Sequence, residues 1–275
     1  MERAVAGAGV RLTAHVHEGP GTPVVLLHGL AGHAGEWAHA AGWLRERHRV
    51  IALDQRGHGA SERHPADMSR AAYVADVVSV LDDLGVAEAI VAGQSLGGHT
   101  ALLTAAAHPD RVGALVLVEA GPGGAGPGHP QVIERWLASW PVPFPSVAAA
   151  AEFFGGGPAG AGWAAGLEER AGGWWPRFEP ELMVASVAEL SRRSYWAEWE
   201  RVTCPALLVV AETGIIPAEE VREMVRRRPD TTVVRVPGAG HDVHLEQPDA
   251  VRAAIAAFLD GVAVQAAQGE RELEP

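Results

Sequence analysis

Apolar positions along the first half of the chain fall into short, near-continuous runs separated by longer amphipathic stretches. The runs 11–16, 24–28 (VVLLH), 50–53, 89–93 (AIVAG) and 114–118 (ALVLV) read as strands. The stretches 35–46, 69–84 and 96–107 between them carry helical spacing. Near-continuous apolar strands need cover on both faces, and helices alternating with them supply it, so the pattern predicts a parallel α/β sheet. From Gly121 to about Arg201 the alternation stops. Gly- and Pro-rich clusters (GPGGAGPGHP, GGGPAGAG) separate helical pieces at 131–140, 147–154 and 180–199, and no strand is evident. The alternation resumes with strand 206–211, helix 217–227, strand 232–236 and helix 248–259. The expected organisation is a core of residues 1–120 and 201–262, an all-helical lid at 121–200, and a frayed tail at 263–275 rich in small and charged residues.

Composition narrows the function classes. With 48% hydrophobic and 20% charged residues among 275, the chain has the balance of a globular protein with a substantial core. A net charge of −12 without a basic run opposes nucleic-acid binding. The single Cys204 excludes an internal disulfide and a cysteine-rich metal site. The N-terminal MERAVAGAGVRL lacks a long apolar run, so the expectation is a cytoplasmic protein without a membrane span, monomeric or homodimeric, with a small-molecule substrate.

Chemistry concentrates in three loops. Gly93-Gln94-Ser95-Leu96-Gly97 follows a strand and opens a helix, the context in which G-x-S-x-G forms a nucleophile elbow and exposes the serine. His28-Gly29 ends another strand. A turn there aims the Leu30 N–H at the space above Ser95, where it would join the Leu96 N–H in an oxyanion hole, with Gly29 lining the substrate and the His28 ring structural. His241, just after the glycine turn that leaves the last strand, is placed to take the Ser95 proton; His244 is the neighbouring alternative.

Four motifs in order, HGLAG (28–32), DQRGHGAS (54–61), GQSLGG (93–98) and GAGHDVHLEQP (238–248), resemble the α/β-hydrolase superfamily over roughly residues 10–120 and 200–260. The resemblance implies a mostly parallel eight-stranded sheet, a helical lid after the sixth strand, and a Ser–acid–His triad containing Ser95 and His241. It also implies that Asp54, Arg56 and His58 organise the floor of the site. The usual aspartate is missing: the corresponding loop reads Ala211-Glu212-Thr213-Gly214, with Thr213 in the acid's place and Glu212 one residue out of phase. Glu119, at the end of the strand beside the elbow strand, is the favoured acid. Haloalkane dehalogenases and zearalenone-type lactonases resemble the chain there; Ser95 excludes the first, whose nucleophile is Asp, and the Ser–Glu–His set matches the second. Glu212 through a rearranged loop, or no functional acid, remain open, and Asp242 is too close to His241 to orient it.

Seven of the nine tryptophans lie in the lid: Trp136, Trp140, Trp163, Trp174, Trp175, Trp196 and Trp199. Any one of them can be a core anchor, but their concentration also suits an aromatic-walled pocket, with Trp136, Trp140, Trp175 and Trp196 as the candidate contacts. Residues 155–162 read as a glycine-rich hinge or a mobile edge. The expected activity is hydrolysis of a bulky apolar or aromatic ester or lactone through an acyl-enzyme, without metal or cofactor. C–C cleavage of β-diketones, cofactor-free peroxidase or oxygenase chemistry, and a non-catalytic small-molecule receptor are the alternatives.

Overall fold

The structure is a computed structural model that describes residues 1–272. Its strands in chain order are β1 (Glu2–Ala6), β2 (Arg11–His17), β3 (Val24–Leu27), β4 (Val50–Asp54), β5 (Ala89–Gln94), β6 (Val112–Val118), β7 (Glu168–Arg170), β8 (Gly173–Trp175), β9 (Ala206–Ala211) and β10 (Thr232–Val236). Its helices are α1 (Ala38–Leu44), α2 (Arg70–Asp83), α3 (Leu96–Ala107), α4 (His129–Ala138), α5 (Val147–Phe153), α6 (Gly157–Ala165), α7 (Pro180–Val187), α8 (Trp196–Arg201), α9 (Ala218–Arg227), α10 (Val243–Glu246) and α11 (Pro248–Glu272). A 3-10 turn, Ala34–Trp37, leads into α1. Among the described residues, eight strands form one sheet in the order β1-β2-β4-β3-β5-β6-β9-β10. Pairs β1–β2 and β2–β4 are antiparallel and the rest are parallel.

The near-continuous apolar strands divide their residues between two cores by the period of two. Val25, Leu27, Ile51, Leu53, Val91, Leu115, Leu117, Leu208 and Val210 point to the face covered by α2, α3, α8 and α9. Val24, Leu26, Val50, Ala52, Ile90, Ala92, Val116, Leu207 and Val209 point to the face covered by α1 and α11. This is the α/β sandwich of the hydrophobic pattern. No helix among the described residues is long and apolar enough to cross a membrane.

Several elements depart from expectation. β1 (ERAVA) is an unforeseen edge strand; only Val5 is buried, so it carries almost no hydrophobic signal. The segment between β6 and β9 is not all-helical, because EERAGGWW folds into the β7–β8 hairpin. Strands of three residues are too short to show alternation, and this pair is secured by backbone bonds between Phe144 and Trp174. Most of the glycine-rich 155–162 stretch is taken into helix α6, which begins at Gly157. A Cβ at Gly160 would stand 2.3 Å from the Ala151 carbonyl, so that glycine lets α6 close onto α5. The expected helix 180–199 is two, α7 and α8. The expected tail at 263–275 starts within α11, and residues 273–275 lie outside the described residues.

Burial sets the acid stability of the fold. Desolvation pushes His28 down to about 3, His58 and His244 down to about 4, and His99 well below its usual value. The unfolded chain therefore binds more protons than the folded one below the usual 6.5, so stability is lost as pH falls from there toward 4. Glu36 opposes them: burial raises it to about 8, and its contribution is present below 4.5 and fades as pH rises to 8. Four histidines outweigh one acid. Calorimetric Tm should therefore peak near the usual histidine value of 6.5, drop steeply on the acid side and decline gently up to pH 8.

Candidate active site

Ser95 and Glu119 emerge at the carboxyl edge of the sheet, and His241 comes to Glu119 there. β5 and β6 pair through Gln94 and Val118, so the next residues on the two strands, Ser95 and Glu119, emerge side by side. Three non-glycine residues among those described have φ in the left-handed region: Ala31 (61°), Ser95 (50°) and Glu119 (49°). Such conformations cost on the order of 1–3 kcal/mol each and persist only where the surroundings enforce them. All three lie at this edge. At Ser95 the enforcement is visible, because a Cβ on Gly97 would lie 2.3 Å from the Leu27 carbonyl oxygen. Only a glycine lets the first turn of α3 press against the end of β3.

Glu119 is fully buried, and its carboxylate is cradled by backbone. Oε1 accepts from the Ala211 N–H at 2.6 Å and Oε2 from the Ile215 N–H at 2.7 Å. The same Oε2 lies 3.5 Å from His241 Nδ1. The donors belong to the AETGI turn, from which the usual aspartate is missing. Gly214 makes the space: a Cβ there would sit 2.1 Å from Glu119 Oε2. The turn is thus a receptacle for a carboxylate arriving from β6. Glu212 points elsewhere, its exposed carboxylate accepting from the Gly238 N–H at 2.7 Å. Gly214→Ala should displace the Glu119 carboxylate and lower kcat roughly 10- to 100-fold, the loss expected for disrupting a buried charged hydrogen bond, with KM little changed in steady-state assays.

His241 is half-buried. The Gln94 amide lies 3.3 Å from its Nε2 and donates to its backbone oxygen at 3.1 Å. An amide N–H can only donate to Nε2, so the imidazole proton belongs on Nδ1, facing Glu119. That is the tautomer a general base requires. Ser95 Oγ makes no hydrogen bond among the described residues; Gln94 occupies the imidazole instead. The sequence pattern did not single out this glutamine, because the elbow motif leaves its side chain unspecified. Its Oε1 also explains Gly29, where a Cβ would come within 2.2 Å of that atom.

The other candidates separate cleanly. His244 is buried against Trp37, 4.9 Å between ring centroids, with Nε2 3.7 Å from Glu36. Asp54 accepts from the Ala34 and Ala60 N–H groups at 2.7 and 2.9 Å, and Arg56 pairs with buried Asp76 at 2.7 Å. His58 Nε2 accepts from the Ala31 N–H at 3.2 Å and so holds the strained residue after Leu30. The His28 ring is engaged by the Gln55 N–H and the Gly29 carbonyl. Neither the Leu30 nor the Leu96 N–H finds an acceptor among the described residues, leaving two backbone donors on either side of the elbow.

Trp136 and Trp140 join Trp163, Phe154 and Phe178 in an aromatic cluster that packs on Leu30, Ala31 and Leu96. Trp175 and Trp196 do not. Trp175 stands on the β7–β8 hairpin with its N–H directed to the Ala171 carbonyl, and Trp196 packs on the sheet core beneath Arg227. Helical spacing alone does not reveal which cluster a tryptophan joins. Trp163, not among the candidates, donates to Asp242 at 2.8 Å, directly beside His241. The cleft between this cluster and Ala31–Gly32 is only about 10 Å³.

A family profile described as alpha/beta hydrolase fold matches residues 22–248. The chain belongs to the α/β-hydrolase fold family. Among the hydrolases it is similar to is 2-(acetamidomethylene)succinate hydrolase of Mesorhizobium japonicum (strain LMG 29417 / CECT 9101 / MAFF 303099). That protein is 29% identical over 270 residues, covering 91% of this chain and 92% of its own. A 2-hydroxymuconate semialdehyde hydrolase of Pseudomonas putida is 41% identical over 120 residues, 42% of each chain. Among solved structures, E-2-(acetamidomethylene)succinate hydrolase superimposes with a TM-score of 0.86 at 27% identity, covering 94% of this chain and 99% of the other. This α/β hydrolase is accordingly an enzyme of the hydrolase class.

Proposed function

We propose that this hydrolase is serine-dependent and cleaves a carboxylic ester or lactone bearing a bulky apolar or aromatic group. The observation that carries the reading is the buried Glu119 carboxylate 3.5 Å from His241 Nδ1, at the sheet edge where the strained Ser95 emerges. Ser95 attacks the carbonyl carbon while His241 Nε2 takes the hydroxyl proton; the Gln94 amide swings off Nε2 as this occurs. The Leu30 and Leu96 N–H groups hold the oxyanion, and Glu119 stabilises the imidazolium. His241 then protonates the leaving alkoxide, and water repeats the sequence on the acyl-enzyme. Residues 121–200 act as a lid. The aromatic cluster forms its inner wall, and the small cleft implies that the segment shifts to admit substrate.

A second reading, cleavage of an amide or C–C bond by the same three residues, is favoured by the relatives. Their named substrates, an acetamidomethylene succinate and a hydroxymuconate semialdehyde, are not simple esters. The deciding experiment is fluorophosphonate labelling followed by multiple-turnover kinetics on matched ester, lactone, amide and β-diketone substrates. Stoichiometric labelling at Ser95 with fastest turnover on esters or lactones supports the first reading. Fastest turnover on the amide or diketone moves the assignment to the second, and absence of labelling sinks both.

A further inference from the structure

The cleft beside the oxyanion loop is lined mostly by apolar groups. Trp140, Trp163, Leu167 and Phe178 line it with Ala31 and Gly32, and Arg177 is its one charged lining residue. The backbone that presents Arg177 is held to the core by a different arginine. Arg63, from the loop after β4, donates to the Pro176 carbonyl at 2.7 Å, to Glu168 at 2.8 Å and to Glu179 at 2.9 Å. These bonds tie down the backbone just before Arg177 and engage Glu179, two residues after it, and Glu168 on β7. Arg177 itself spends Nε on the Gly166 carbonyl at 2.9 Å. Its two terminal nitrogens have no acceptor among the described residues.

A guanidinium anchored at Nε on a half-buried residue that lines an aromatic-walled cleft, with terminal donors that no acceptor among the described residues engages, is suited to a planar anion. We propose that Arg177 binds a carboxylate of the substrate, so that the substrate is an apolar acyl compound carrying a free carboxylate in addition to the bond that is cleaved. The inference rests on the hydrolase reading above and specifies its substrate class. In a chain of net charge −12 the overall field repels anions, so recognition must come from a local cation. Closing the aromatic wall on a neutral ligand would strip water from the guanidinium without replacing its hydrogen bonds, whereas a carboxylate replaces them. Discrimination therefore comes from the charge that the cleft leaves unpaired.

The test compares monoesters of a series of dicarboxylic acids with the corresponding neutral diesters. The unmodified protein should prefer the monoester at one or more chain lengths. In Arg177→Gln, the ratio of the two kcat/KM values should fall roughly 10- to 100-fold, and Arg177→Lys, which keeps charge but not the fork, should retain part of it. Calorimetric binding of the monoester and diester to Ser95→Ala protein, with and without Arg177→Gln, gives a readout independent of turnover. No monoester preference at any length, or a ratio unchanged in Arg177→Gln, overturns the inference while ester turnover keeps the hydrolase reading intact. Preferential, Arg177-dependent binding of the monoester without turnover by the unmodified protein retains the carboxylate site and removes the hydrolase reading.

Discussion

Ser95→Ala is expected to lower kcat about a million-fold on whichever substrate is turned over best, the scale seen when a triad nucleophile is removed. The size follows from what the hydroxyl does. In the proposed mechanism it is the atom that bonds to the carbonyl carbon, and without it the Leu30 and Leu96 donors and the imidazole have no tetrahedral adduct to stabilise. Binding and the oxyanion donors alone leave a residual acceleration of roughly 10³–10⁴ over water, so the variant should be slow but not inert. KM should change little, since the half-buried Ser95 hydroxyl makes no hydrogen bond in the free protein that substrate binding would have to break. The measurement pairs steady-state kinetics with fluorophosphonate titration, which sets the ceiling for contaminating unmodified protein. Full turnover in the variant would end the covalent mechanism.

What the chain declares about itself depends on how local the cause is. The elbow is legible because strand, turn and helix are consecutive, and the glycines that permit Ser95 its φ of 50° lie within three residues of it. The sheet is legible because near-continuous apolar strands have few places to go but between two helical layers. Glu119 was reachable only as a carboxylate at a strand end; its cradle was not, because the donors Ala211 and Ile215 lie 92 and 96 residues away. The AETGI turn lacks the usual aspartate. Its Gly214 and two N–H groups instead hold the Glu119 carboxylate. The tryptophans resisted for the opposite reason: their number was plain, but a helix of six residues such as α8 does not announce which neighbour it packs on.

Glu119→Gln is the second large effect, a loss in kcat of roughly 10³- to 10⁴-fold, comparable to neutralising the acid of a triad in place. The amide carries no charge to stabilise the His241 imidazolium. It also has no comfortable orientation. Both carboxylate oxygens accept backbone N–H bonds, at 2.6 and 2.7 Å, so either placement of the amide NH₂ sets donor against donor. That conflict in a fully buried site costs on the order of 1–3 kcal/mol of stability. Activity should therefore be normalised to the folded fraction, measured by thermal unfolding in the same buffer. Glu212→Gln is the matched control: its carboxylate is exposed and bonded to the Gly238 N–H, so kcat should stay within about twofold, as for surface substitutions away from a site. The comparison isolates the position of the charge, because both substitutions remove one carboxylate from the same pair of sheet-edge loops. A large loss at Glu212 with little at Glu119 would return the acid to the loop after β9 and leave the cradle around Glu119 a purely structural device.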